Sequence, residues 1–371
     1  MNVPLLDLQA QYAEIATEVD AAVAEVVRSQ RFVLGPQVER LEEELAHRVG
    51  VRHAIGCASG TDALLLPLRA LDLEPGSEVI VPAFTFFATA GAVWNAGLRP
   101  AFADVDPWTF DLTAETVEAA LTERTRAVVV VHLFGQMAPM APILALAERH
   151  GLRVIEDAAQ SIDARQRIDG EWRTAGSLGT AGSFSFFPTK NLGGFGDGGL
   201  ITTDDDALAD RLRKLRVHGG RQMYHHETVG TNSRLDALQA AVLRAKLPHL
   251  ERWTQARREN AAAYDAAFES VHAVRAPVVA ADSYHVYNQY TVRVAQRDAL
   301  KRHLDAAGVG SGIYYPVGLH LQECFRSLGY RAGDLPNTER ATREVLSLPV
   351  FPELTTAQRD RVTEAVGAFH G

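Results

Sequence analysis

Between His53 and Thr203, short runs rich in β-branched residues alternate with stretches of helical period. "HAIGCAS" precedes "GTDALLLPLRAL", "EVIVPA" precedes "FFATAGAVWNAG", and "RAVVVVHLFG" precedes "MAPILALAERHG". "RPAFADV", "LRVIEDA", "GSFSFF" and "GGLITT" complete a set of seven expected strands. Strands that follow one another through helices need crossover connections and pair in parallel. The expectation is an α/β fold with a seven-stranded, mostly parallel sheet. In such sheets ligands gather outside the carboxyl ends of the strands, so the residues just after each strand are the ones to inspect.

From "DALADRLRKLRVHG" onward the pattern is helical, and "RLDALQAAVLRAKLPHLERWTQARRENAAAYDAAF" reads as two helices broken near Pro248. That break divides the chain into an expected large domain over residues 1–247, with an N-terminal arm, and a small C-terminal α+β domain over residues 248–371. The final helix should start near Thr356.

The 371 residues are 47% apolar and 22% charged, enough to bury a large core. A net charge of -9 argues against a nucleic-acid surface and favours small metabolites as partners. Cys57 and Cys324 stand in no metal-ligand spacing, so neither a disulfide framework nor a metal site is expected, and a reducing cytoplasm fits best. The N-terminus "MNVPLLDLQAQYAEI" lacks a basic region followed by an apolar stretch, and no apolar run is long enough to span a bilayer. A protein neither exported nor membrane-embedded is expected.

The strand ends carry the chemistry. Lys190 follows "GSFSFF" and precedes a glycine run. Gly194, Gly196 and Gly199 fit G-x-G-x-x-G, but the run leads into a strand rather than a helix, so no dinucleotide site is expected. Lys190 also lacks the flanking glycine and hydroxyl residue of a P-loop. Asp157 ends "LRVIED", where it could cap a helix or share a crevice with Lys190. A lysine facing a carboxylate is what pyridoxal 5'-phosphate requires: an amine for its aldehyde and an acid partner for its pyridine nitrogen. Ser59, Gly60 and Thr61 lie at a strand-to-helix turn suited to a phosphate, and Ser185 could add a hydroxyl. Phe86 or Phe87 could stack on the ring.

With these residues in hand, the sequence resembles the pyridoxal-phosphate sugar aminotransferases of the DegT/StrS type, within fold type I. "SGTDAL", "EVIVPAFTFFATA", "VHLFGQ", "IEDAAQ", "SFSFFPTKNLGGFGDGG", "GTNSRLDALQAA" and "IYYPVGLHLQ" carry the likeness in order along nearly the whole chain. The resemblance implies Lys190 as the Schiff-base lysine and Asp157 as the partner of the pyridine nitrogen. It places Gln160 near the phenolic oxygen, Phe86 on the ring, and Gly60, Thr61 and Ser185 on the phosphate. Asn232 would reach the phosphate from a neighbouring subunit, which implies a homodimer with shared active sites. Two departures stand out: Asp163 occupies a position where many relatives have glycine, and Pro67 should kink the helix after the phosphate turn.

The resemblance further implies a keto sugar carried on a nucleoside diphosphate, dTDP- or UDP-linked, as acceptor and L-glutamate as amine donor, leaving as 2-oxoglutarate. "YNQYTVRV" followed by "IYYPVGLHLQ" is similar to the subgroup that aminates C3 rather than C4. Arg234 is the candidate cation for the diphosphate, and Tyr315 and His320 the candidate sugar-pocket residues. Arg211, Arg213, Lys214, Arg216 and Arg221 read as a solvated helix face. His225 and His226, with no further ligand at suitable spacing, read as an exposed loop.

Overall fold

Strands form where β-branched residues cluster between glycine and proline punctuation. The computed structural model describes residues 2–370. β1 (His53–Cys57), β2 (Glu78–Pro82), β3 (Arg99–Ala103), β4 (Thr125–Val131) and β5 (Arg153–Asp157) are followed by a hairpin, β6 (Arg165–Ile168) and β7 (Glu171–Thr174), and then by β8 (Ala181–Ser185) and β9 (Gly199–Thr203). The seven-stranded sheet has the order β1-β9-β8-β5-β4-β2-β3. Only β9 runs against its neighbours, β1 and β8; the other pairings are parallel. The expected strands and the mostly parallel sheet are all present.

Helices α1 (Leu8–Ser29) and α2 (Pro36–Val49) precede the sheet. α3 (Gly60–Ala70), α4 (Phe87–Asn95), α5 (Ala114–Ala119) and α6 (Met140–His150) lie between its strands, and α7 (Asp206–Leu215), α8 (Ala237–Lys246) and α9 (Leu250–Phe268) follow it. Covering both faces explains the unbroken apolar strands. Val128 and Val130 of β4 join one core with Ile80, while Ala127 and Val129 join the opposite core with Val79 and Val81. A separate core unites Tyr264 and Phe268 of α9 with Tyr290, Leu346 and Val362. Val3 packs into it as well, so the N-terminal segment ties to the C-terminal elements. β10 (Ser283–Tyr284), β11 (Tyr290–Arg293) and β12 (Val345–Leu348), with α10 (Arg297–Ala306), α11 (Pro336–Glu344) and α12 (Thr356–His370), complete the chain.

Several local expectations change. "GTNSRLDALQAA" is helical only from Ala237; Thr231 to Asp236 form no helix, with isolated bridges at Asn232 and Asp236, and Ser233 hydrogen-bonds Asp62 at 2.8 Å. Asn, Ser and Asp compete for backbone hydrogen bonds and suit the segment before a helix better than its interior. The hairpin β6–β7 was not expected, although "IDGE" carries its signal: Asp169 and Gly170 have φ of 51° and 85°, as a tight Asp-Gly turn requires. The break near Pro248 is present as a 3-10 turn, Leu247–His249. Asp163 does adopt the left-handed backbone, with φ 66°, that glycine fills most easily. Aspartate tolerates this region, and its carboxylate is held by Arg48 through Nε at 2.7 Å and through Nη2.

Pro67 does not interrupt α3, which runs from Gly60 to Ala70. A proline at this position leaves the carbonyl of Ala63, one turn earlier, without its helical donor. The buried Ser183 hydroxyl of β8 supplies one instead, at 2.6 Å. Ser183→Ala should therefore orphan that carbonyl and cost on the order of 1–3 kcal/mol. The loss should shrink in Ser183→Ala/Pro67→Ala, where the new N–H at position 67 can bond the carbonyl. Urea unfolding of the four proteins measures both, and additive effects would reject the pairing.

Candidate active site

The ends of β5 and β8 and the starts of α3 and α4 carry the expected residues. Asp157 is the last residue of β5 and is buried, with its Oδ2 accepting from Thr89 Oγ1 at 2.8 Å and its Oδ1 from the Ala159 N–H at 3.2 Å. No helix begins after it, so the capping alternative falls. Burial raises its carboxyl above the usual range, against the pull of these donors and of the Lys190 charge. Lys190 is half-buried in the loop after β8, and its amine has no hydrogen-bond or ion-pair partner among the described residues. Desolvation pushes it down to about 8, with Asp157 pulling it back up. β5 and β8 are parallel neighbours with Asp157 in register with Ser183, so both groups lie at the carboxyl end of the sheet.

The anion cradle lies beside them. Ser59 caps α3 by accepting from the Asp62 N–H at 3.1 Å, which leaves the N–H groups of Gly60 and Thr61 without acceptors among the described residues. A Cβ placed on Gly60 would lie 2.6 Å from the Ser185 Cβ, so only glycine allows the helix start and the end of β8 to approach this closely. The donors fit a phosphate, which helix N-termini favour.

Phe86 caps α4 and is 57% exposed, its ring 6.1 Å from that of Tyr315. Phe87 instead stacks on Phe325 at 5.7 Å. Buried Gln160 accepts from the Phe134 N–H at 2.8 Å and donates to the Tyr315 hydroxyl at 3.0 Å, joining the β4 end to the Tyr315 loop.

Other expected residues fall out differently. Asn232 is exposed and Arg234 half-buried, and neither side chain has a partner among the described residues. His320 is only 1% exposed, its ring beside Gly318 and Tyr330 with Nε2 3.3 Å from Glu339, while its Nδ1 has no partner among the described residues. The cations of α7 and its extension are all engaged within the chain. Arg211 bonds the Ala70 carbonyl, Arg213 faces His53, Lys214 and Arg221 share Asp210, and buried Arg216 pairs with Glu42. His225 and His226 are exposed, and the described residues hold no metal-binding cluster. Cys57 and Cys324 are free thiols. The glycines after Lys190 clear the chain itself: a Cβ on Gly193 would lie 2.3 Å from the Pro188 carbonyl oxygen, and one on Gly199 2.3 Å from that of Ser59.

Residues 13–367 match the DegT/DnrJ/EryC1/StrS aminotransferase family. The chain belongs to that family. A "Pleiotropic regulatory protein" of Geobacillus stearothermophilus is 50% identical over 100% of this chain and 99% of its own. A UDP-N-acetyl-3-dehydro-alpha-D-glucosamine 3-aminotransferase of Acidithiobacillus ferrooxidans is 46% identical over 100% of this chain and 98% of its own. Among solved structures, S. venezuelae DesV in complex with a ketimine intermediate superposes with a TM-score of 0.96 at 46% identity, covering 100% of this chain and 98% of that one. The aminotransferase has the type I fold and depends on pyridoxal phosphate. The partnerless lysine, the buried carboxylate, the free helix N–H groups and the exposed Phe86 ring fit that cofactor.

Thr89 was not singled out in the sequence. It lies one helical turn beyond Phe86, on the same face of α4, and that spacing is the one signal that could have found it.

Proposed function

We propose that this aminotransferase moves an amine from L-glutamate to the ketone of a 3-keto sugar carried on a nucleoside diphosphate, dTDP or UDP. The observation that carries the chemistry is partnerless Lys190 and buried Asp157 at the carboxyl ends of neighbouring strands, beside unpaired helix N–H groups. The 3-position is supported by the names of relatives: besides the Acidithiobacillus enzyme, a Streptomyces venezuelae relative 46% identical is a dTDP-3-amino-3,4,6-trideoxy-alpha-D-glucose transaminase.

When bound, pyridoxal phosphate supplies a carbonyl for amines and a ring that takes up electrons from the substrate carbon. The Gly60 and Thr61 N–H groups and the Ser185 hydroxyl bind its phosphate. Phe86 covers the ring face and excludes water, and Gln160, steadied by Phe134 and Tyr315, orients the phenolic side. Asp157, clamped by Thr89, holds the proton on the ring nitrogen. Lys190 takes a proton from the substrate carbon and returns it, a task suited to an amine whose ordinary basicity burial has reduced. Arg234 meets the diphosphate, and Tyr315 lines the sugar pocket.

A panel of nucleoside-diphosphate keto sugars with glutamate, read by mass, tests this. One 2-oxoglutarate per chain in a single turnover and amination of 3-keto sugars are expected. Amination of 4-keto sugars alone would overturn the position, and absence of 2-oxoglutarate would overturn the donor. The Geobacillus name supports a second reading, a regulatory protein on the same fold. A chain that binds no pyridoxal phosphate would favour it. The two free thiols support a reducing compartment, the cytoplasm.

We further propose a homodimer in which Asn232 of each chain completes the phosphate site of the other. Support comes from its exposed side chain, which has no partner within its own chain among the described residues. Lys190→Ala and Asn232→Asp chains should each be nearly inactive alone. Refolded together, about half of the dimers are hybrids with one intact site, restoring roughly a quarter of wild-type activity. No recovery would place Asn232 in its own chain's site.

A further inference from the structure

The loop that carries Lys190 closes on itself at Phe186, which donates to the Gly198 carbonyl at 2.8 Å and accepts from the Gly194 N–H at 2.8 Å. Two side chains of α8 grip its middle. Buried Lys246, 3% exposed, donates from Nζ to the Gly193 carbonyl at 2.8 Å, and Gln239 Oε1 accepts from the Phe195 N–H at 2.7 Å. The two stand about two helical turns apart, so both lie on one face of α8. Lys246 also donates to Gln11 Oε1 of α1 at 3.3 Å, and its ammonium lies 5.0 Å from the centre of the Phe195 ring. It forms no ion pair among the described residues; Glu353, the acid whose charge reaches it, also acts on Arg257. Burying an ammonium costs more than burying an apolar chain of its length unless its donors are used, and here one is used on the loop. No other donor of the described residues bonds the Gly193 carbonyl. The turn has no slack to absorb a shift there: a Cβ on Gly193 would lie 2.3 Å from the Pro188 carbonyl oxygen, and the Lys190 N–H bonds the Phe187 carbonyl at 2.9 Å.

We propose that α8 is a clamp that fixes where the Lys190 amine stands, with Lys246 and Gln239 as positioning residues. The inference rests on the reading of Lys190 as the amine that bonds the cofactor. Neither residue acts on that amine by charge, which comes to it from Asp157, so their effect passes through the backbone of the loop. An amine bonds an aldehyde only when its nitrogen is within reach and aligned. A loosened loop therefore weakens that bond, while the phosphate donors of α3 and the Asp157 carboxylate keep their places.

The test titrates two forms of the cofactor into the full-length chain freed of it: pyridoxal phosphate, and pyridoxamine phosphate, which has no aldehyde for Lys190. Lys246→Met should weaken pyridoxal phosphate about tenfold, the scale of one lost hydrogen bond to a charged group, and leave pyridoxamine phosphate unchanged. Amide exchange at Lys190 and Gly194, followed without cofactor, should quicken by a similar factor. Gln11→Met removes the other acceptor of Lys246, which makes no hydrogen bond to the loop, and should change neither reading. Should Lys246→Met fail to fold, Gln239→Met, uncharged and half-buried in the wild type, frees the loop from the same helix face and should give the same split. Equal losses for both cofactor forms, unchanged exchange in a folded variant, or a loop as loose in Gln11→Met as in Lys246→Met would overturn the proposal. Borohydride labelling of the wild type at another lysine sinks the Lys190 reading alone, since amide exchange still judges the clamp.

Discussion

Replacing Lys190 by alanine is expected to leave a folded protein that binds pyridoxal phosphate reversibly and turns over no substrate. The wild-type protein should be yellow, and borohydride should fix the cofactor's mass onto the peptide that contains Lys190; in the variant that peptide should stay unmodified. Labelling at another lysine would reject the assignment. The pH dependence follows from the same geometry. Burial lowers the Lys190 amine in the cofactor-free protein from an ordinary 10.5 to about 8. Only the neutral amine attacks an aldehyde, so the rate of recombination with the cofactor should rise as pH rises through about 8 and level off above it. An amine left at its ordinary value would keep gaining well beyond that point.

Asp157→Ala should lower kcat by about two to three orders of magnitude, the scale on which one preorganised charge partner acts in a water-poor site. Asp157→Glu should lose less, because the carboxylate survives at a displaced position. Thr89→Val keeps the shape of the residue at 89 and removes only the hydroxyl on Oδ2, so it should give a smaller loss that Thr89→Ser restores. A merely structural threonine would not move the pH at which the bound cofactor's spectrum changes. The valine variant should move it, because the Thr89 bond favours the charged carboxylate. Near-normal rates in Asp157→Ala would remove the carboxylate from the chemistry.

Much of this was legible because apolar runs and strand ends carry their own signals. The seven strands, the break beside Pro248, and the placing of Asp157, Ser185 and Lys190 at the carboxyl ends of neighbouring strands follow from pattern and connectivity. What escaped depends on contacts between distant segments. Thr89 meets Asp157 across 68 positions of sequence, and Gln160 meets Tyr315 across 155. The Glu339 partner of His320, 19 positions away, likewise depends on packing that a motif does not encode. The close approach that the glycines after Lys190 allow is of the chain to itself. The Asp-Gly hairpin carries its own turn signal, outside the pattern of helix-linked strands.

The Ser183–Ala63 hydrogen bond links the helix that presents Gly60 and Thr61 to the strand that presents Ser185. Positions 67 and 183 should therefore change together. A lineage with proline at 67 gains little by mutating 183 to a residue without a donor, whereas one that first restores an N–H at 67 frees 183 to drift. Descendants should thus show proline with serine or threonine, or neither, and the combination of proline with alanine should be found only where some other donor has come to the carbonyl.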